Sequence, residues 1–304
     1  MFRAMTAVRP LHLILAPSNL GLRPPAPGHE PGTWRAPEAL LAAGLAQAVR
    51  PAARSALPRP AYDFEAQPGT RWRNGHGIKA FNEELAGGIA GALVDGTLPL
   101  VIGGDCSILL GCLAGARRSG EIALVHIDGH SDFRNPRNHD FDAEIGAVAG
   151  ADLALAIGLG DGLLTDWGQR GSLVRDINVI QIGEREARDP GWIWGDIAET
   201  AITRLDIFEL LERGTSHALA LARAATGALP FWVHIDIDII DQVFLPAVDS
   251  PGSPGLDFAQ LAALLQPLVA SRDCIGCDLT IFDPELDPEG FYARRITALL
   301  GEVF

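Results

Sequence analysis

The chain has 304 residues, enough for one large domain or two smaller ones. Its 24 Lys and Arg against 38 Asp and Glu leave a formal net charge of −14. No basic cluster offsets that charge, so nucleic acid is excluded as the expected partner. With 48% hydrophobic and 20% charged residues the chain is not of disordered composition. Cys106, Cys112, Cys274 and Cys277 are too few for a disulfide scaffold and fit a reducing, cytoplasmic setting.

The first apolar run, Leu11 to Pro17, is interrupted by His12 and is too short for a secretory leader. No apolar stretch reaches the ~20 residues of a membrane helix, so no membrane partner is expected. From Pro24 to Trp72 the abundance of Pro, Ala and Arg predicts loops around one helix, roughly Glu38–Val49, with part of the segment mobile. Strand-like and helix-like runs then alternate. Strands are predicted over Leu98–Ile102, Ile122–Ile127, Val179–Ile182, Phe231–Ile235 and Cys274–Ile281, none with clean polar alternation, which is how strands buried on both faces read. Helices are predicted over Phe81–Leu93, Ser107–Arg117, Asp206–Ala225 and Asp257–Val269, and a loop over Gly158–Gly162. The alternation predicts α/β architecture with a mostly parallel sheet and helices on both faces. No repeat or linker interrupts it, so one domain over 1–304 is expected.

Polar residues collect where the strand-like runs end: Gly103-Gly104-Asp105-Cys106-Ser107, Asp128-Gly129-His130-Ser131-Asp132, Asp236-Ile237-Asp238-Ile239-Ile240-Asp241 and Asp283-Pro284-Glu285. In an open parallel sheet the carboxyl ends of the strands share one edge, so these clusters converge. Side chains two apart on an extended chain share a face, which aims Asp128, His130 and Asp132 at one point and adds Asp236 and Asp238 from another strand. Four carboxylates and an imidazole so placed repel one another unless a cation neutralises them. Oxygen-rich ligation with one imidazole suits a divalent ion such as Mn²⁺, and the number of donors suits two ions.

In their order along the chain, GGDCS at Gly103–Ser107, DGHSDF at Asp128–Phe133, HIDIDIID at His234–Asp241 and PAVDSPGSPGL at Pro246–Leu256 resemble the ureohydrolase superfamily of arginases, agmatinases and formiminoglutamases. The resemblance covers about Pro99 to Pro288. It implies a three-layer α/β/α sandwich and a binuclear manganese centre that activates a water against a guanidinium or amidine carbon. By position it implies Cys106, Asp128, His130, Asp132, Asp236 and Asp238 as metal ligands, and a homo-oligomer, trimer or hexamer. Asn135 falls where arginase-like members hold the substrate carboxylate, and Glu186 where they hold the α-ammonium.

Three departures from the family pattern bear on function. Cys106 stands where the first ligand is usually His, and a thiolate suits Zn²⁺ or Fe²⁺ better than Mn²⁺, so one site is re-tuned or empty, or Cys106 is only a packed core residue. Members acting on N-hydroxylated arginine look similar here. Ile145, preceded by Glu144, replaces the proton-shuttle His, leaving Asp132 and Glu144 as candidate catalytic residues and His139 as a possible substitute. Ile281 replaces the Glu that grips guanidinium, and Asp249, Asp283 or Glu285 is the candidate replacement, Asp249 first.

Other patterns read blandly. Cys274 and Cys277 lack a second pair for a zinc ribbon, Gly158-Leu159-Gly160 lacks a dinucleotide-binding context, and Trp192 and Trp194 read as packing residues. Asp241 is out of register with Asp236 and Asp238 and is expected to support them from behind. The expected function is a metal-dependent hydrolase of a guanidino or substituted guanidino small molecule, releasing urea or a urea derivative. The alternative is a catalytically silent binding or assembly protein that keeps the fold.

Overall fold

The computed structural model describes residues 9–141, 143–168, 171–189, 191 and 195–304; Trp192 and Trp194 lie outside them. Eight strands form one sheet: β1 (Leu11–Ala16), β2 (Ala53–Ala56), β3 (Leu98–Gly103), β4 (Ala123–Ile127), β5 (Val179–Ile182), β6 (Thr203–Leu205), β7 (Phe231–Asp236) and β8 (Cys274–Thr280). Their order is β2-β1-β3-β8-β7-β4-β5-β6, and every pairing is parallel. The helices are α1 (Ala36–Ala42), α2 (Leu45–Val49), α3 (Gly75–Val94), α4 (Leu109–Ala116), α5 (Asp152–Ala156), α6 (Gly162–Thr165), α7 (Ile207–Arg213), α8 (Thr215–Thr226), α9 (Phe258–Val269) and α10 (Phe291–Val303).

Two apolar layers sandwich the sheet. On one face Leu13, Leu100, Val125, Val233 and Leu279 pack under α1, α2 and α7 to α10, through Leu40, Leu45, Leu210, Leu261 and Ile296 among others. On the other, Ile14, Val101, Leu124 and Trp232 pack under α3, α4 and α5, through Leu85, Leu113 and Leu153. Strands β3, β4, β5 and β7 are buried along their whole length, which is why they carry no polar alternation.

The differences from expectation have local causes. The helix expected over Glu38–Val49 is two helices, because Gly44 adopts φ +95° between α1 and α2. Gly214, at φ +77°, likewise divides the Asp206–Ala225 segment into α7 and α8. The segment expected to be loop-rich contributes an edge strand, β2, whose Ala-Arg-Ser-Ala sequence is largely exposed. Strand β1 forms despite His12, whose ring meets Ser55 of β2 at 3.0 Å.

This strand order brings β3, β8, β7 and β4 side by side at the centre, although β3 and β4 are consecutive in the chain. Three of the polar clusters therefore emerge from one stretch of the carboxyl edge, where such sheets bind ligands. Gly104 makes the first possible. A Cβ there would lie 1.7 Å from the carbonyl oxygen of Ser18, and backbone on both sides leaves nothing free to move. Gly104→Ala is expected to cost at least about 3 kcal/mol, read as a lower urea midpoint. An unchanged midpoint would show that the β1 and β3 loops do not meet as described.

Candidate metal centre

Each cluster is fixed by its own backbone. Asp105 accepts from Ser107 N at 2.9 Å, from Ser18 Oγ at 2.7 Å and from Gly21 N at 3.1 Å. It thereby caps the turn that carries Cys106, whose thiol donates to Asp236 Oδ2 at 2.9 Å and lies 3.1 Å from Thr280 Oγ1. Asp128 Oδ1 accepts from His130 N at 2.6 Å, and Asp236 Oδ1 accepts from Asp238 N at 2.7 Å. Gly129 N donates to Asp238 Oδ1 at 3.1 Å, tying the β4 and β7 loops together. His130 Nδ1 stands 2.8 Å from Asp238 Oδ2 and 3.7 Å from Asp128 Oδ1. The buried Arg185 guanidinium runs beneath the two loops and donates to the carbonyl oxygens of Asp238 and Pro254.

The electrostatics are those of like charges held together. Burial pushes the Asp132 and Asp236 carboxyls well above their ordinary range, and neighbouring carboxylates push further. Burial also acts on Asp128, but the hydrogen bond from His130 and the nearby His126 outweigh it and hold Asp128 at about 2. Burial opposes charge on His130, yet Asp238 and Asp128 keep it raised. Asp128 Oδ2 is buried with no hydrogen-bond partner among the described residues. A buried oxygen-rich set with an unpartnered carboxylate oxygen is what divalent cations require, so the residues present fit a metal centre.

Above them a cavity of about 250 Å³ is lined by His130, Asp132, Asp236, Asp238, Asp249 and Ile281, with Arg23, Arg134 and Ser250 at its wall. Three of its residues hold positive φ: Asp132 at 44°, Ser250 at 53° and Ile281 at 74°. For a β-branched residue this is a strained conformation of the kind that collects at functional sites.

The remaining expected residues sort by position. Asp249 lies in the cavity wall and accepts from Ser250 Oγ at 3.1 Å. Asp283 and Glu285 are turned to the N-terminal segment instead, Asp283 accepting from Gly32 N at 3.2 Å and Glu285 engaging His29 and Arg35. Glu186 is half-buried, its carboxyl raised by burial against the pull of His130 and Arg185. Glu144 is exposed and pairs with Arg23 of the cavity wall. His139 Nε2 meets the Glu144 carbonyl at 2.9 Å. Asn135 is buried outside the cavity lining, its amide donating to Phe133 O at 2.8 Å and Asp196 Oδ2 at 2.9 Å. Asp241 accepts from Ser253 Oγ, Gly255 N and Val243 N, bracing the loop behind Asp238. Cys274 and Cys277 are buried free thiols, 3.9 Å apart.

Sequence reasoning missed four buried residues beneath the cluster: His126, Asp152, His234 and Asp278. Two of them carried a signal, since His126 and His234 each stand two residues before a candidate ligand and so share its face.

His234 also sets a pH dependence. Burial opposes its charge, but Asp278 at 2.5 Å outweighs burial and raises it to about 10. Unfolded, it titrates near 6.5, so its stabilisation is complete below about pH 6.5 and is lost as pH rises through about 10. The raised Asp132 and Asp236 lose theirs from about pH 4 upward, in the same direction, while the lowered Asp128 matters only below about pH 4. Metal-free protein is therefore expected to melt at a lower temperature at about pH 9 than at about pH 6. A melting temperature that rises over this interval would contradict these assignments.

Comparison with known proteins agrees with the geometry. The family model described as Arginase family matches residues 16–304. An arginase from Brevibacillus brevis is 27% identical over 229 residues, covering 73% of this chain and 74% of the relative. An N(omega)-hydroxy-L-arginine amidinohydrolase from Streptomyces lavendulae is 28% identical over 193 residues, 63% of each chain. The solved structure of Bacillus caldovelox arginase superposes with a TM-score of 0.83 at 23% identity, covering 98% of both chains. Among the described residues no helix is long and apolar enough to cross a membrane.

Proposed function

The chain belongs to the arginase family, and on that premise we propose that it hydrolyses a C–N bond of a guanidino compound, releasing urea or a urea derivative, and prefers a substituted guanidine such as Nω-hydroxyarginine to arginine. The observation that carries this is the buried cluster of Asp128, His130, Asp132, Asp236 and Asp238 beside a cavity whose wall presents Ile281. The likeness to the Streptomyces lavendulae enzyme supports the substituted substrate.

The cluster, with Cys106, would hold two divalent ions, Mn²⁺ at the oxygen-rich positions and Mn²⁺, Zn²⁺ or Fe²⁺ beside the sulfur. When bound, such ions lower the pKa of a water toward neutrality and polarise the carbon it attacks. Asp132, which lines the cavity, would accept a hydrogen bond from the attacking water and orient it. Glu144, at the rim beside Arg23, exchanges protons with solvent in place of the His absent at Ile145. Asp249 is the carboxylate placed to meet the guanidino group, and Glu186 the one for an α-ammonium. Asn135, with its amide engaged, holds the loop after Asp132 rather than the substrate. The substrate is a small molecule, and a cytoplasmic homo-oligomer, trimer or hexamer, goes with this reading.

A catalytically silent protein is not favoured, because four converging carboxylates without a cation are costly to keep buried. The test is urea release by Mn²⁺-reconstituted protein from arginine, Nω-hydroxyarginine and guanidino acids of different length. Turnover of at least one is expected. Two bound ions with no turnover on the whole panel would overturn the proposal.

A further inference from the structure

A row of polar side chains crosses the sheet one step beneath the carboxylates. In strand register, Gln181 of β5 faces His126 of β4, His126 faces His234 of β7, and His234 faces Asp278 of β8. All four are buried, and the two imidazoles stack with centroids 4.8 Å apart. Asp152, the first residue of α5, closes over them, with Oδ1 3.4 Å from His126 Nε2 and Oδ2 3.7 Å from His234 Nε2. Both Asp152 oxygens, both His126 ring nitrogens and His234 Nε2 are buried without a hydrogen-bond partner among the described residues. The ion-pair approaches of Asp152 to the two rings leave these atoms short of hydrogen bonds, which is costly at a buried point unless something binds them.

Cys106 reaches the same point from above. One ligand atom each of Cys106, Asp152 and His234 lie within 4.8 Å of one another. We propose that Cys106, Asp152 and His234 form an inner transition-metal site, distinct from the carboxylate centre and suited to Zn²⁺ or Fe²⁺ rather than Mn²⁺. Tetrahedral ligands at about 2.0–2.3 Å from one ion stand roughly 3.3–3.8 Å apart, so the three atoms, within 4.8 Å of one another, close by at most about 1.5 Å when an ion binds. Sulfur, nitrogen and a single carboxylate make a softer donor set than the oxygen-rich cluster above.

The surroundings are those of a prepared ligand. His234 Nδ1 is held 2.5 Å from Asp278 Oδ2, and Trp232 Nε1 donates to Asp278 Oδ1 at 2.5 Å. That chain holds a ring proton on Nδ1, so the proton an ion displaces is the one on Nε2, which faces Asp152 and Cys106, as in carboxylate–histidine–metal arrangements. His126 meets the other face of the same carboxylate and positions Asp152. The thiol proton, now given to Asp236, leaves when the ion binds. The site shares Cys106 with the proposed function but does not depend on turnover.

Co²⁺ is the probe, because a cobalt–thiolate bond has a near-ultraviolet charge-transfer absorption that carboxylate and imidazole ligation lack. Co²⁺-loaded protein is expected to show it, and Cys106→Ser and Asp152→Asn to lose it, while Asp238→Asn, which damages only the carboxylate centre, retains it. Asp278→Asn leaves all three ligands in place and is expected to weaken Co²⁺ binding roughly 10–100-fold. It serves as the check should Asp152→Asn fail to fold. No thiolate absorption in the wild type, absorption lost in Asp238→Asn but kept in Asp152→Asn, or unchanged affinity in Asp278→Asn would each overturn the site. Absorption present without urea release would count only against the proposed function. Urea release without the absorption would overturn this site, and with it Cys106 as a ligand of the carboxylate centre, while leaving the hydrolytic reading standing.

Discussion

Asp236→Ala is expected to abolish urea release and metal retention at the carboxylate centre while raising the melting temperature of the metal-free protein. The carboxylate sits between Cys106 and the Asp238 backbone, accepting from both, and faces Asp128 and Asp238 across the cluster. With ions bound, it is one of few negative groups balancing their charge, and a metal centre supplies several kcal/mol of transition-state stabilisation. Its loss therefore costs roughly 10³-fold or more in kcat/KM. Without ions the same group is a liability: burial and neighbouring carboxylates already force its carboxyl well above the ordinary range. Removing it relieves repulsion and desolvation together. Asp128→Ala should match it in activity but not in metal-free stability, because Asp128 is held at about 2 by His130 and His126. Near-normal metal content in both variants would show that the cluster is not the metal centre.

Ile281→Glu is expected to move substrate preference toward arginine. Ile281 is buried, lines the cavity and directly follows β8, with its N–H donated to Gly104 O at 2.7 Å, so its backbone is fixed at the cavity wall. A carboxylate at this wall would meet an unsubstituted guanidinium with a charge-assisted hydrogen bond worth about 1.5–3 kcal/mol. That is roughly a ten- to hundredfold shift in the ratio of kcat/KM values for arginine and a substituted guanidine. An N-hydroxyl or N-alkyl substituent needs that bond less, since hydroxylation lowers the guanidine pKa and an alkyl group packs on Ile281. Glu has no β-branch, so φ +74° strains it less than it strains Ile. Arginine as the better wild-type substrate, or an unchanged ratio in the variant, would remove Ile281 from the specificity argument. Asp249→Asn is the companion: if Asp249 grips the guanidino group, every substrate loses rate.

What could be read in advance follows from burial. Strands β3, β4, β5, β7 and β8 lie inside the sandwich, so their apolar runs are long and unbroken, and all were legible. Strand β2 is an edge of small and charged residues with no pattern to find, and β6 is three residues long. The helix breaks at Gly44 and Gly214 depend on positive φ, which leaves no trace beyond the glycine itself. At the site, period-two spacing located Asp128, His130, Asp132, Asp236 and Asp238 because each follows a legible strand. It did not single out His126 and His234, which lie inside those strands, where a polar residue reads as an interruption. Asp152 was hidden for the opposite reason: it begins a five-residue helix in an apolar stretch, and only the tertiary fold brings it over the two imidazoles. Asp283 and Glu285 end a strand like the others, yet the segment around Gly32 and Arg35 captures them before they reach the cavity.

The claim that the buried carboxylates form a working metal centre is tested most directly by the metal content of protein purified without chelators, measured per chain by elemental mass spectrometry. Two or more divalent ions per chain are expected, falling with Asp236→Ala. Fewer than one ion per chain in the wild type, after incubation with Mn²⁺ and Zn²⁺, would contradict it.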